Sequence, residues 1–267
     1  MPRTRLPILL LSALLPALAA AQPTEAERQA GWWRQKGEQA LARAQAVAPG
    51  GPARARNVIL FVGDGMGIST GSAARILDGQ RKGGSGEDNL LAFEEFPHLA
   101  LSRTYSVDQQ TPDSAPTMSA MMTGIKTNDG VIGIAATVTH GEPAREAVAA
   151  SAQPTLLELA EGAGLATGVV STARLTHATP TACYAHTSAR DWEADSDRPA
   201  GTTVPDIAAQ LIERFGAGGI GNGLEVALGG GREKFLPAGT RDPEDHGARG
   251  VRRDGRDLTR EWRRKFG

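Results

Sequence analysis

The sequence predicts an α/β fold with a mostly parallel sheet flanked by helices. Three observations point there. Apolar runs rich in Val, Ile and Leu at residues 57–62, 166–171 and 226–228 lack the polar alternation of a half-exposed strand, so they read as strands buried on both faces. Segments with helical start and stop residues fall between these runs. No internal repeat interrupts the alternation. The 267 residues are 40% hydrophobic, which supports a packed core and excludes global disorder. A net charge of −1 argues against a polyanion-binding surface over the whole molecule, so no nucleic acid is expected as a partner. The single cysteine, Cys183, excludes an intrachain disulfide and any Cys₄ or Cys₂His₂ zinc site.

Three regions follow in order. Residues 1–21 read as a cleaved secretory signal. Arg3 and Arg5 precede a short apolar run, and Ala19, Ala20 and Ala21 supply the small residues of a cleavage site. A periplasmic or secreted protein is therefore expected, with no membrane attachment after cleavage. Residues 22–56 read as a leader segment. Its one amphipathic helix carries Trp32, Trp33, Leu41 and Val47, and Pro49-Gly50-Gly51-Pro52 breaks it. Residues 57–267 form the main domain. A buried strand at 57–62 runs into Gly63-Asp64-Gly65-Met66-Gly67, and a helix follows over 68–77. A glycine-rich loop at 83–86 and a second strand at 98–104 come next. Asp113 caps a helix over 114–122, with Pro116 in its first turn and Gly124 beyond its end. Residues 125–153 look irregular, with short strand character at 131–139. A helix over 155–161, stopped by Gly162 and Gly164, leads to a buried strand at 166–171. A helix at 206–215, a flexible loop at 216–223 and a strand at 226–228 follow. The charged stretch 241–267 reads as a solvated face with a weak helix at 258–266.

In such sheets the chemistry sits at the carboxyl ends of strands. Three loops qualify: 63–67, the segment before Ser114, and 172–179. Asp64 follows a strand directly between two glycines, a position that suits a metal ligand or, equally, an aspartate closing a turn. Ser114 begins a helix, where the dipole favours an alkoxide or a phosphate, although a serine there can simply cap. No Gly-x-Ser-x-Gly elbow is present, so a metal would have to activate the hydroxyl. His177 and Thr179 lie two apart, and in extended backbone both would face the same way and share a cation. Arg190 offers a planar fork matched to phosphate oxygens, or is an exposed surface arginine. Together these residues suggest metal-assisted phosphoryl transfer through serine.

The motifs carry a resemblance. Residues 57–67, Thr111-Pro-Asp-Ser-Ala115 with Thr123-Gly124, Ser171-Thr-Ala-Arg-Leu-Thr-His-Ala-Thr-Pro180, Tyr184-Ala-His-Thr-Ser-Ala-Arg190 and Leu228-Gly-Gly-Gly-Arg-Glu-Lys-Phe235 resemble, in order, landmarks of the alkaline phosphatases. The resemblance runs from about residue 56 to the chain end. It implies two zinc ions and one magnesium ion, with Asp64 bridging a zinc and the magnesium. It implies Ser114 as the phosphorylated nucleophile and zinc ligand, Thr179 on magnesium, and Arg190 clamping the phosphoryl oxygens. His177 occupies a position that is aspartate or histidine within the family, which bears on how tightly the third metal is held. The implied substrate is a small phosphomonoester and the implied assembly a homodimer. The family's later ligands, an Asp-x-x-x-His pair and an Asp-His pair among them, have no counterpart after residue 190, where His246 is the only histidine. The chain is therefore expected to be the N-terminal portion of the domain, truncated before those ligands and inactive or nearly so alone. Two other readings remain. One is another hydrolase of the wider superfamily, a sulfatase or phosphodiesterase; Ser114-Ala-Pro116 partly fits a sulfatase motif, but Met118 stands where arginine is needed. The other is a noncatalytic exported phosphate- or metal-binding module.

Overall fold

The structure, a computed structural model, describes residues 24–47, 55–96, 98–213 and 222–266. The expected signal at 1–21, the break at 49–52 and the start of the glycine loop at 216–221 lie outside the described residues.

Helices flank a small parallel sheet. Helix α1 (Glu25–Arg28) begins with a capping box: the Glu27 amide donates to Thr24 Oγ1 and the Thr24 amide to the Glu27 carboxylate. Helix α2 (Ala30–Val47) follows. Of its apolar residues, Trp33 is buried, with its indole N–H donating to the Glu27 carbonyl at 2.7 Å, while Leu41 faces solvent. Helix α3 (Ile68–Arg81) runs four residues past its predicted end.

Helix α4 (Ser114–Thr123) forms where its caps predict. The Asp113 carboxylate accepts from the Ala115 amide at 2.8 Å, and Gly124 adopts φ 71° at the other end, a left-handed turn that glycine takes without strain. Helix α5 (Arg145–Ser151) occupies part of the stretch expected to be irregular. Its start has no side-chain cap, so no local signal marks it. Helix α6 (Leu156–Gly162) begins with a capping box between Thr155 and Glu158. Strand β1 (Gly168–Arg174), the short α7 (Ala178–Thr181), α8 (Ile207–Glu213), β2 (Val226–Gly230) and α9 (Leu258–Phe266) complete the order.

Strands β1 and β2 pair in parallel, Gly168 opposite Val226 and Val170 opposite Leu228, with a register slip before Arg174 meets Gly230. The main core lies between this sheet and the helices. Ala115, Met118 and Met122 of α4 meet Val169 of β1, Tyr184, and Ala208 and Leu211 of α8. A second cluster gathers Val131, Ile134, Val148, Trp192 and Val204 beneath α5.

Several strand predictions fail. Residues 57–62 form neither strand nor helix and pair with no strand among the described residues, and Phe61 is 88% exposed. Residues 98–104 likewise form no strand, with Leu99 95% exposed. Residues 131–139 contribute only single bridges, Ile132 to Thr187 and Ile134 to Ala152. β1 is not buried on both faces, since Val170 is exposed. For the runs that form no strand the reason is shared: an apolar run supplies strand propensity, but a ladder needs a partner edge, and propensity cannot supply one.

Candidate active site

Three segments converge at the amino end of α4. The Asp113 cap fixes Ser114 as the first helical residue, so its hydroxyl stands at the positive end of α4. The Arg190 guanidinium reaches it from 76 residues away. Its Nη1 donates to Asp113 Oδ2 at 2.6 Å and to Ser114 Oγ at 3.3 Å. Its Nη2 donates to His177 Nε2 at 3.2 Å. Because an arginine N–H can only donate, His177 accepts at Nε2 and carries its proton on Nδ1. That Nδ1 is buried, has no hydrogen-bond partner, and lies 4.0 Å from Asp64 Oδ2. Thr179 Oγ1 donates to the same Asp64 oxygen at 2.8 Å.

All five predicted site residues thus form one connected line: Thr179, Asp64, His177, Arg190, Ser114. One expectation about their geometry is corrected. His177 and Thr179 do not lie on an extended run; His177 is the cap residue of α7 and Thr179 sits in that helix. Both still face Asp64 because the chain turns immediately after β1.

The segment leading into α7 is held by a buried carboxylate. Glu193 accepts from Arg174 Nε at 2.8 Å, from Arg174 Nη2 at 2.7 Å and from Thr176 Oγ1 at 2.5 Å. Burial opposes the charge on Glu193, but the Arg174 and Thr176 hydrogen bonds prevail and hold its carboxyl below the usual range.

Sequence reasoning missed one participant in its full role. Asp113 is legible as a cap, yet its second oxygen anchors Arg190. Only spatial proximity reveals this, since 77 residues separate the pair.

The donor set can be weighed against the zinc and magnesium that the resemblance implies. Asp64 and Thr179 offer oxygens, and the unpartnered His177 Nδ1–H points to a group between it and Asp64. That suits a hard cation with a bound water. A zinc site is not completed. Asp64 and Ser114 supply two donors where zinc takes three or four protein ligands, and no group of three or more His, Cys, Asp or Glu that could hold a metal occurs among the described residues.

A sequence model of the alkaline phosphatases matches residues 55–267. The chain belongs to the alkaline phosphatase family. It is 39% identical over 259 residues to the tissue-nonspecific alkaline phosphatase isozyme of Gallus gallus, covering 95% of this chain and 48% of that protein. It is also 39% identical to the membrane-bound alkaline phosphatase of Bombyx mori, over 91% of this chain and 44% of the relative. The chain therefore spans about half the length of the curated relatives it matches. Among solved structures, alkaline phosphatase from the Antarctic bacterium TAB5 aligns with a TM-score of 0.49 and 23% identity, over 71% of this chain and 42% of that one. No helix among the described residues is long and apolar enough to cross a membrane.

Proposed function

We propose that this alkaline phosphatase chain carries the nucleophile and oxyanion clamp of a phosphomonoester hydrolase that works through a phosphoserine intermediate. The observation that supports it most directly is the Arg190 guanidinium donating to Ser114 Oγ at 3.3 Å, at the start of a helix. Ser114 Oγ attacks the phosphorus of a small phosphomonoester. The Oγ–P bond forms, the bond from phosphorus to the alcohol oxygen breaks, and the alcohol leaves with a proton. Water then cleaves the phosphoserine, releasing phosphate and restoring the hydroxyl. Arg190 binds two equatorial oxygens with its fork, and the positive end of the α4 dipole faces the same charge. Asp113 fixes the guanidinium plane. Asp64 and Thr179 would hold magnesium, with the His177 Nδ1–H turned toward Asp64 beside them, and the ion supplies electrostatic stabilisation of the anionic site when bound. Among the described residues only Asp64 and Ser114 are in place for the two zinc ions of the expected site, so no step is derived through them, and turnover by this chain alone is expected to be low. Residues 1–21 direct export, to the periplasm or beyond.

The test is mass spectrometry of Ser114 after incubation with p-nitrophenyl phosphate and acid quenching, together with the release of p-nitrophenol. Phosphorylation at Ser114 that vanishes in Ser114→Ala, with release falling in parallel, supports the reading. Phosphate binding without phosphoserine at any added zinc or magnesium concentration would overturn it, in favour of a noncatalytic phosphate-binding module.

A further inference from the structure

We propose that the buried His186–Glu158 pair positions Arg190, setting where its guanidinium stands against Ser114. The inference deepens the function proposed above and rests on the reading of Arg190 as the phosphate clamp.

His186 is fully buried, and Glu158 of α6 is nearly so. Two acceptors face the imidazole. Its Nδ1 lies 2.7 Å from the Gly133 carbonyl and its Nε2 lies 3.1 Å from Glu158 Oε1. A carbonyl can only accept, so Nδ1 carries a proton, and the Nε2–Oε1 line carries another. The main chain of His186 is gripped as well. Its amide donates to Gln210 Oε1 at 2.8 Å, and its carbonyl accepts from Gln210 Nε2 at 3.1 Å, both from α8. One residue is thereby fastened to three parts of the fold.

The partner loop explains why this matters four residues later. Residues 130–133 template the 186–190 segment at three points. Gly133 O meets the His186 ring, Ile132 and Thr187 exchange a pair of backbone hydrogen bonds of 2.9 Å, and Gly130 O accepts the Arg190 amide at 2.9 Å. The same loop is tied to α4. The Gly133 amide donates to Ser119 Oγ at 2.9 Å, and Asp129 Oδ1 accepts the Asp113 amide at 2.8 Å, one residue before Ser114. Nucleophile and clamp are thus registered on one loop, and the His186 ring is the side-chain bolt between that loop, the clamp segment and α6. Glu158 itself is fixed by the Thr155 amide at 2.7 Å, so the bolt ends on a rigid helix start. Hydrogen bonds of His186 reach Gly133, Glu158 and Gln210, and it acts on Arg190 through the loop and chain between them, as a positioning residue.

The ring can be dissected by amide substitution. His186→Asn places a donor near Nδ1 and keeps the Gly133 bond. His186→Gln places one near Nε2 and keeps the Glu158 bond. His186→Ala keeps neither. In the full chain, inorganic phosphate affinity is read by calorimetry, and amide hydrogen exchange is compared between residues 184–190 and the remote α9. The expected result is weaker phosphate binding in His186→Ala by about tenfold to a hundredfold, the scale of a misplaced binding group. His186→Asn recovers part of that loss, because it retains the contact nearest the Arg190 segment. Exchange rises in 184–190 and not in α9. If His186→Ala does not fold, the Asn and Gln variants carry the comparison. Variants that bind phosphate within about twofold of the parent and leave 184–190 protected would overturn the proposal. A parent whose phosphate binding survives Arg190→Ala would instead remove the clamp reading, and the exchange measurement would still decide the positioning.

Discussion

Gly133→Ala should be among the most damaging single-methyl additions in this molecule. Gly133 has φ +66°, in the left-handed region, and a Cβ there would stand 2.7 Å from the Ala185 carbonyl oxygen and 2.8 Å from His186 Nδ1. Gly141 provides the control: its φ is +82°, and a Cβ would meet nothing within 4 Å. Both substitutions carry the left-handed penalty of an alanine, roughly 1 kcal/mol. At Gly133 the methyl also drives the imidazole from the carbonyl it bonds at 2.7 Å, leaving a buried donor unsatisfied. That adds about 1–3 kcal/mol. Gly133→Ala should therefore cost about 3 kcal/mol, and Gly141→Ala about 1 kcal/mol. Urea unfolding reads the difference as a lower midpoint for Gly133→Ala at unchanged slope. Equal midpoints for the two variants, within about 0.5 kcal/mol, would refute the steric and hydrogen-bond reasoning.

Other perturbations act on separate features. Arg252 is fully buried and pairs with Asp206 through both terminal nitrogens and with Asp254. Arg252→Met strands the buried Asp206 carboxylate and should cost about 3–5 kcal/mol in urea unfolding; a loss below about 1 kcal/mol would contradict that picture. Glu193 is held below the usual carboxyl range, with burial opposing and the Arg174 and Thr176 bonds prevailing. Its contribution is present above the unfolded value of about 4.3 and is lost as pH falls through the depressed folded value. The stability gap between the parent and Glu193→Gln should thus close as acid is added, and a gap constant down to about pH 3 would rule this out. Burial pushes the Cys183 thiol up to about 12. An aromatic disulfide reagent at pH 8 should label the folded chain far more slowly than the urea-unfolded chain, and equal rates would show the thiol to be accessible.

Local chemistry was legible in the sequence, and non-local pairing was not. Asp113 and Gly124 bracket α4, because caps act over a few residues and need no partner from elsewhere. The helix at 155–161 was legible through its stop glycines, and its Thr155–Glu158 capping box came from the structure. β1 and β2 were legible as short apolar runs ahead of glycine or polar loops. Residues 57–62 carry as strong a strand signal, but the signal states a preference and not the presence of an edge to pair with. Helix α5 was missed because Ala144 offers no cap. The five candidate site residues were found through their loops and their family motifs. Their line of contacts, the anchoring of Arg190 by Asp113, and the His186–Glu158 pair depend on residues 13 to 115 positions apart, which no local pattern encodes.

Asp64 stands at the end of a segment whose apolar side chains lie in water, and its side-chain tie to the 174–190 region is the Thr179 hydroxyl. Thr179 already meets Asp64 at 2.8 Å, so a cation held between them would anchor the carboxyl end of the 57–62 run. If that run must be ordered for the cation to bind, the apparent affinity would fall below the intrinsic affinity of the donor set by the fraction of molecules in the ordered arrangement. The coupling is reciprocal. On the proposed cation site, a surface that adds the 57–62 edge to a ladder would tighten cation capture by the same factor by which the cation tightens strand docking. Ion retention would then report on β-pairing, and strand pairing could be followed by titrating an ion.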